Sequence, residues 1–110
     1  VASGEDRPFV DAILSGVADR SHITNLTGVT GFEQLPGLMA LCARLVICCD
    51  SAPLHVASFV NIPTVALFGP TDPALYGPYA DKHRVLRASS RRMEDITLED
   101  VITACCGVCV

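Results

Sequence analysis

The sequence predicts an α/β fold with parallel strands, and one stretch of three elements carries most of that prediction. Residues 45–49 (LVICC) form a short apolar run, long enough for one buried strand and too short for a globular helix. Pro53 suits a helix start, because its fixed φ matches the helix and its missing N–H is not needed there. Thr64–Phe68 predicts a second buried strand. Strand, helix and strand form a βαβ unit, so we expect the two strands to be adjacent and parallel.

Three upstream segments carry predictions of their own. Apolar residues at helical spacing after Pro8 predict an amphipathic helix whose apolar face packs into the core. That face consists of Phe9, Val10, Ile13, Leu14 and Val17. Residues 23–26 (ITNL) predict a short strand before Gly28. A second apolar helical face consists of Leu35, Leu38, Met39 and Cys42. Pro36 and Gly37 weaken the start of that helix, so we expect it to begin late or to kink.

Two downstream segments complete the expected architecture. Residues 84–87 (RVLR) predict a short strand. Residues 97–100 (TLED) have the pattern of a capped helix start, with Val101 and Ile102 on the helix that follows.

The turn after the first predicted strand favours an anionic ligand. In open α/β sheets, ligands bind at the carboxyl ends of the strands. The first N–H groups of a helix have no intrahelical partner, and the helix dipole adds partial positive charge there. A phosphate or diphosphate therefore fits the helix start near Pro53.

Three side chains at this turn are candidate ligands. Ser51 can cap the helix or donate to a phosphate oxygen, and His55 can add a donor or a positive charge. Asp50 would repel phosphate, so it is better suited to accept hydrogen bonds from sugar hydroxyls or backbone amides. The alternative is equally weighted: Ser and Asp are ordinary capping residues, and a lone histidine is commonly a partly buried structural residue.

The segment from residue 50 to residue 73 (DSAPLHVASFVNIPTVALFGPTDP) resembles the signature of glycosyltransferase family 9, which includes the ADP-heptose:lipopolysaccharide heptosyltransferases. That signature reads D-[ST]-G-x-x-H-x-A-x-A, followed by x-P-x-V-A-L-F-G-P-T-x-P. The matching positions are Asp50, Ser51, His55, Ala57, Pro63, residues 65–71 and Pro73. Weaker similarity covers residues 25–50 and 2–7, so the resemblance extends over most of the chain.

The resemblance implies a Rossmann-like parallel sheet, the C-terminal half-domain of a two-domain GT-B glycosyltransferase. It implies inverting transfer, without metal or cofactor, from a nucleotide-diphosphate sugar, with ADP-heptose the leading candidate. The acceptor would be the lipopolysaccharide core. The implied donor-binding residues are Asp50, Ser51, Ala52, His55 and Glu5. Glu5 would meet the ribose hydroxyls, although a solvated loop glutamate is an equal alternative. No residue here is a convincing catalytic base, so we expect the base in the acceptor domain.

Two departures from the family pattern bear on the site. Ala52 replaces the glycine that lets the backbone approach the donor diphosphate, so its Cβ is expected to narrow the site. Residues 87–93 (RASSRRM) stand where the family often has cysteines.

Length and composition set further expectations. The chain is too short for two Rossmann-like domains, so residues 1–110 are expected to be a partial donor-binding domain without the acceptor domain. Its opening, VASGEDR, is interpreted as the tail of a strand. The net charge is −4 and no basic stripe exists, which argues against nucleic acid, and Arg91 with Arg92 predicts a solvated loop. No apolar run reaches the roughly 20 residues of a membrane span. We expect a cytoplasmic protein with peripheral contact to the inner membrane.

The six cysteines do not predict a metal site. Cys48 and Cys49 are adjacent in a strand and point to opposite faces. Cys105, Cys106 and Cys109 cluster without a nearby histidine, whereas structural zinc needs four ligands. Cysteine is also a good small hydrophobe, so we expect reduced thiols.

Two other functions remain open at this point. The first is a domain that binds a nucleotide sugar without catalysis, which the lack of an acceptor-domain carboxylate in the parent gene would favour. The second is a phosphoacceptor receiver domain. That fold needs an acidic pair after its first strand and a lysine near its last, and Lys82 is the only lysine in this sequence.

Overall fold

The structure, a computed structural model, describes residues 2–49, 51–70 and 83–109. The chain divides into two compact units, Val1–Gln34 and Leu35–Val110. The described residues of the C-terminal unit contain the sheet, and those of the N-terminal unit contain one α-helix and one 3-10 turn.

The C-terminal unit is built on three parallel strands, β1 (Val46–Cys49), β2 (Thr64–Phe68) and β3 (His83–Arg87), in the order β1-β2-β3. A helix, Ala52–Phe59, joins the first two strands. The predicted βαβ unit is therefore confirmed, with the first strand starting one residue later than expected. The expected strand over residues 84–87 is confirmed as well, and begins at His83.

Helices cover both faces of this sheet, which is why residues 65–68 of the central strand β2 are all apolar. Phe68 and Ala66 pack against Leu54 of the Ala52–Phe59 helix. Val65, whose side chain points to the other face, packs with Ala104 and Val108 of the C-terminal helix. Alternating side chains of one strand thus enter two different layers, as in a doubly wound α/β fold.

Four α-helices occur in the described residues: α1 (Arg7–Ser15), α2 (Leu35–Cys42), α3 (Ala52–Phe59) and α4 (Leu98–Cys109). Helix α2 begins at Leu35, so the expected late start is wrong. Pro36 is tolerated because it lies in the first turn, where its N–H would have had no partner. Leu35 and Met39 are buried against Ala57, whereas Cys42 is exposed.

The capped start predicted for the last helix is confirmed. The Asp100 N–H donates to Thr97 Oγ1 over 3.1 Å, and the Thr97 N–H donates to Asp100 Oδ2 over 3.5 Å. The two residues form a reciprocal capping box, which satisfies donors that a helix start otherwise leaves open.

The N-terminal unit contains a 3-10 turn (Gly4–Asp6) followed by α1. The predicted helix is confirmed, but Val17 lies beyond its end and the expected core packing is wrong. No residue of α1 is buried, and the side chains of Phe9 and Ile13 are 72% and 69% exposed. The helical spacing of the apolar residues predicted the helix correctly, because that spacing is a property of the sequence alone. Burial of the apolar stripe depends in addition on another element that packs against it.

The strand expected at residues 23–26 is also wrong. Polar groups there bond locally instead of to a neighbouring strand: Asn25 Oδ1 accepts from the Thr27 N–H and hydroxyl, over 3.0 and 2.6 Å. Arg7 Nη2 donates to the Thr27 carbonyl over 2.8 Å. Gly28 then turns the chain with a φ of 70°, a conformation that glycine adopts without a steric cost.

The interpretation of the opening residues as the tail of a strand is not supported by residues 2 and 3. Ser3 has extended backbone angles, yet residues 2 and 3 are not part of a strand and lead directly into the 3-10 turn. Val1 lies outside the described residues. Among the helices that the structure describes, none is long and apolar enough to cross a membrane.

Candidate functional site

The predicted site lies where β1 ends and α3 begins. Cys49 is the last residue of the strand, and Ala52 is the first residue of the helix. Ser51 occupies the N-cap position with extended backbone angles, φ −157° and ψ 175°, as helix N-cap residues commonly do. Asp50 lies outside the described residues. The structure thus places the helix start at the carboxyl edge of a parallel sheet, where α/β folds bind ligands.

This helix start is not closed by its own N-cap side chain. Among the described residues, the Ser51 hydroxyl makes no capping hydrogen bond, and it donates only over a long 3.5 Å to the Cys49 carbonyl oxygen. Ser51 and Ala52 are both exposed. The backbone carbonyl of Ser51 accepts from the Leu54 N–H over 3.0 Å, which secures the first turn. Within the part of the chain that the structure describes, no side chain closes the hydroxyl and the leading N–H groups, which leaves them available to a ligand with the helix dipole behind them.

The burial pattern of α3 orients His55 away from the core. Leu54, Ala57 and Ser58 are buried, so they define the face that packs on the sheet and on α2. His55 is exposed between them. Its imidazole is therefore on the solvent side of the first turn, one helical turn from Ser51. Three predicted donor residues, Ser51, Ala52 and His55, are brought together on one turn of one helix.

A loop after β3 forms a second part of this edge, and no local sequence pattern indicated it. We call residues 88–96 the 88–96 loop. Met93 in this loop reaches β1, where the Cys49 thiol points at Met93 Sδ over 3.7 Å. It also lies against the end of β2, since a Cβ placed on Gly69 would be 3.7 Å from Met93 Cβ. The 88–96 loop is thus packed on the carboxyl ends of two strands.

Arg87 secures the turn that follows β2. Its Nε donates to the Gly69 carbonyl and its Nη2 donates to the Pro70 carbonyl, both over 3.1 Å. A guanidinium fork suits two adjacent acceptors, because its donors are held in a plane. The arginine at the end of β3 therefore holds the backbone that follows β2, and two of its donors are used within the fold.

Glu5, the fifth predicted donor residue, lies in the N-terminal unit. It is exposed in the 3-10 turn Gly4–Asp6, and Ser3 Oγ bonds the Asp6 carboxylate over 2.9 Å. Gly28 approaches this turn closely, since a Cβ there would be 3.1 Å from the Cα of Gly4. The turn that carries Glu5 is therefore built by packing within its own unit.

Other features of the described residues do not add ligands to the predicted turn. No group of three or more His, Cys, Asp or Glu side chains among them could hold a metal ion. Burial, with a smaller contribution from Cys49, raises the pKa of the Cys48 thiol to about 11, so this thiol stays protonated at neutral pH. A cavity of about 460 Å³ belongs to the N-terminal unit, and none of the predicted donor residues lines it.

Comparisons with known proteins identify a family and relatives that this chain resembles. A family model described as glycosyltransferase family 9 (heptosyltransferase) matches residues 2–104. The chain is 41% identical over 87 residues to lipopolysaccharide heptosyltransferase 2 of Escherichia coli K12, covering 77% of this chain and 25% of that protein. It is 34% identical over 87 residues to lipooligosaccharide heptosyltransferase 2 of Haemophilus influenzae, with the same coverage. The chain spans about a quarter of the length of these curated relatives.

A solved structure confirms the predicted fold class. The chain superposes on E. coli ADP-heptose lps heptosyltransferase II with a TM-score of 0.85 and 30% identity. The match covers 98% of this chain and 34% of the solved chain. The Rossmann-like α/β architecture expected from the sequence is therefore that of a solved heptosyltransferase.

Proposed function

The chain belongs to glycosyltransferase family 9, the heptosyltransferases, and we propose that it supplies the donor-binding side of an enzyme that transfers heptose to a lipopolysaccharide core. In this proposal residues 1–110 are part of the donor-binding domain, and a separate acceptor domain completes the enzyme. The donor is a nucleotide-diphosphate sugar, and ADP-heptose is the leading candidate because a solved relative is named for it.

One observation supports the donor role above the others: the start of α3 is left open at the carboxyl edge of the sheet. Ser51 stands at the N-cap position without making a capping bond, and both it and Ala52 are exposed. A diphosphate presents several anionic oxygens, and an open helix start presents N–H donors with a favourable dipole. Where no ligand binds, such N–H groups are satisfied by a capping side chain, by water or by 3-10 bonds.

The chemistry follows from where charge develops. As the glycosidic bond to the donor breaks, negative charge grows on the leaving diphosphate. The N–H groups at Ser51 and Ala52, together with the His55 ring, are fixed donors that would stabilise this charge without reorganising. Removing one preorganised donor of this kind typically costs about 10²–10³ in rate.

The remaining predicted residues have roles on the neutral parts of the donor. We propose that Asp50 accepts hydrogen bonds from sugar hydroxyls or from backbone amides, and that Glu5 accepts from the ribose hydroxyls. The base that activates the acceptor hydroxyl is assigned to the acceptor domain, and transfer inverts the anomeric centre. We propose that the enzyme works in the cytoplasm, at the inner membrane surface, where its lipid-linked acceptor would be found.

The test is a transfer assay on the complete protein, with the 110-residue chain assayed in parallel. The complete protein is expected to transfer heptose from ADP-heptose to a lipopolysaccharide core acceptor. The 110-residue chain is expected to show no transfer, because the proposal assigns the base that activates the acceptor hydroxyl to the separate acceptor domain. Binding of ADP without turnover by the complete protein would instead identify a binding-only domain. Absence of both binding and turnover would reject the proposal.

A further inference from the structure

The turn that follows β2 lies at the same edge of the sheet as the start of α3. Cys49, the last residue of β1, pairs in register with Leu67 of β2. Ser51 and Gly69 each come two residues after that pair, on neighbouring strands that run in the same direction. Neighbouring strands are about 4.8 Å apart, so the two segments leave the sheet side by side. The turn at Gly69 and Pro70 therefore belongs to the edge that carries the proposed donor site.

Side-chain packing connects this turn to the end of β1. Gly69 is buried, and a Cβ placed on it would be 3.7 Å from Met93 Cβ and 3.8 Å from Met93 Cε. The same methionine extends to β1, where its Sδ is 3.7 Å from Cys49 Sγ. Gly69, Met93 and Cys49 thus form one continuous line of contacts across two strand ends. A displacement of the turn would therefore disturb the residue from which the chain continues toward α3.

The backbone carbonyls of this turn matter to any anion that binds at the edge. A carbonyl oxygen is the negative end of a peptide dipole, and Gly69 and Pro70 place two such oxygens immediately after β2. Like charges repel, so carbonyl oxygens left free at this edge would oppose the binding of a diphosphate. A donor site here consequently depends on what these two oxygens bond.

Arg87 bonds both oxygens from the far side of β2. It pairs in register with Phe68, and its strand β3 flanks β2 on the side opposite β1. Its Nε donates to the Gly69 carbonyl and its Nη2 to the Pro70 carbonyl, each over 3.1 Å. Two donors of one planar guanidinium fix two consecutive acceptors, which a single ammonium group does less well. The arginine thereby holds two peptide units and sets a positive charge against their negative ends.

We infer that Arg87 is a positioning residue for the donor site, which holds the turn after β2 in place and neutralises its two carbonyl oxygens beside the diphosphate. This inference rests on the proposed function, and adds to it a residue on a different strand from the predicted donor residues. Arg87 acts through Gly69 and Pro70 and does not itself contact the donor. Its loss leaves every predicted donor residue present and makes the edge less favourable to an anion.

A second arginine of β3 provides a matched control. Arg84 is exposed and lies near the start of the strand, three residues before Arg87 and away from the carboxyl edge. Its Nη1 donates over 3.1 Å to the carbonyl of His83, its own neighbour in the chain. The substitutions Arg84→Met and Arg87→Met change the net charge equally, so their difference reports the position of the arginine.

The test measures binding of ADP and of adenosine by calorimetric titration to Arg87→Met, Arg87→Lys and Arg84→Met of the complete protein. ADP affinity is expected to fall about fivefold or more in Arg87→Met, as for other residues that act on a site through packed neighbours. Affinity for adenosine, which has no phosphate, is expected to stay unchanged. Arg87→Lys is expected to recover part of the ADP affinity, and Arg84→Met to bind both probes as the unaltered protein does.

The outcomes separate this inference from the proposed function. Unaltered ADP affinity in Arg87→Met, or an equal loss in Arg84→Met, would overturn the inference alone. An equal loss of adenosine affinity would also overturn it, because general damage to the fold would then explain the effect. Should Arg87→Met fail to fold, Arg87→Lys decides: reduced affinity for ADP alone supports the inference, and unaltered ADP affinity rejects it. Failure of the unaltered protein to bind ADP would overturn both proposals.

Discussion

Two helices of the C-terminal unit each follow a hydroxyl residue, and their starts differ in structure. Helix α4 begins with Thr97, whose hydroxyl accepts from the Asp100 N–H while the Asp100 carboxylate accepts from the Thr97 N–H. Helix α3 begins with Ser51, which makes no side-chain capping bond. Both residue types are favoured N-caps. One helix start is satisfied within the fold, and the other is left with its donors toward solvent.

The difference teaches that a hydroxyl residue before a helix has two uses, which the type of that residue alone does not separate. At α4 the residue three positions on is an acidic side chain, so a reciprocal bond can close the helix start. At α3 that position is Leu54, which is fully buried in the core and offers no acceptor. Helix α3 also begins at the carboxyl edge of β1, where ligands bind in this class of fold. The residue three positions on and the location of the helix start, and not the hydroxyl residue itself, distinguish the two helix starts.

The largest expected effect concerns activity at the open helix start. In the complete protein, Asp50→Ala and His55→Ala should each lower kcat/KM by about 10²-fold or more, because fixed groups that meet donor charge and hydroxyls are removed. The readout is steady-state kinetics alongside thermal unfolding on the same preparations, with Thr97→Ala as the control from the closed helix start. Lowered melting with near-normal kinetics would make Asp50 and His55 structural residues.

A second prediction compares alanine substitutions at the two N-cap residues. Thr97→Ala should cost about 1 kcal/mol in the free energy of unfolding, because a capping bond is lost, and should leave donor affinity unchanged. Ser51→Ala should alter stability by less than about 0.5 kcal/mol, since it removes no capping bond, and should weaken ADP binding. Chemical denaturation measures the stability of both variants, and ADP titration measures their affinity for ADP. Equal stability losses at the two positions would remove the distinction between the helix starts.

A third, smaller effect is expected at Ala52, where the family pattern has glycine. Ala52→Gly should lower the donor KM modestly, because loss of the Cβ lets the diphosphate approach the backbone more closely. Glycine also weakens a helix relative to alanine, so a small loss of stability is expected together with tighter donor binding. Donor saturation curves measure the effect. An unchanged KM would show that the backbone of α3 already accommodates alanine at the site.

A fourth prediction concerns pH and the strand that leads into α3. Burial raises the pKa of Cys48 from 9.0 to about 11 in the folded protein. A raised folded pKa contributes stability that is fully present below about pH 9 and is lost as pH rises through about 11. Cys48→Ala should therefore lose less stability than the unaltered protein over that interval. Parallel slopes for the two proteins in denaturation at successive pH values would exclude the buried thiol as the cause.

Local sequence patterns predicted the elements that local interactions determine. The run before Asp50 and the run Thr64–Phe68 were short, apolar and separated by a proline-led helix, which leaves few arrangements besides a βαβ unit. The closed start of α4 was likewise predictable, because Thr97 and Asp100 interact across one turn. The open start of α3 could only be left as two alternatives from sequence.

The features that the sequence missed depend on distant partners. The stripe of α1 predicted a helix, but its burial was wrong for Phe9 and Ile13, since periodicity does not supply a packing partner. Residues 23–26 do not form a strand, because the Asn25 side chain accepts a local hydrogen bond from the Thr27 N–H. The contact between Cys49 and Met93 joins residues 44 positions apart, so the place of the 88–96 loop has no local signature. The left-handed backbone conformation of Arg91, with a φ of 62°, is equally invisible in the sequence, because arginine seldom adopts it.

Amide hydrogen exchange with and without ADP, resolved to single residues in the complete protein, tests the central claim most directly. If the open start of α3 binds the donor diphosphate, saturating ADP should slow exchange at the amides of Ser51 and Ala52. The amides of Leu98 and Glu99, in the first turn of the closed helix α4, should exchange at unchanged rates. Bound ADP that leaves Ser51 and Ala52 unprotected, or protects both helix starts alike, would contradict the assignment of the donor site to α3.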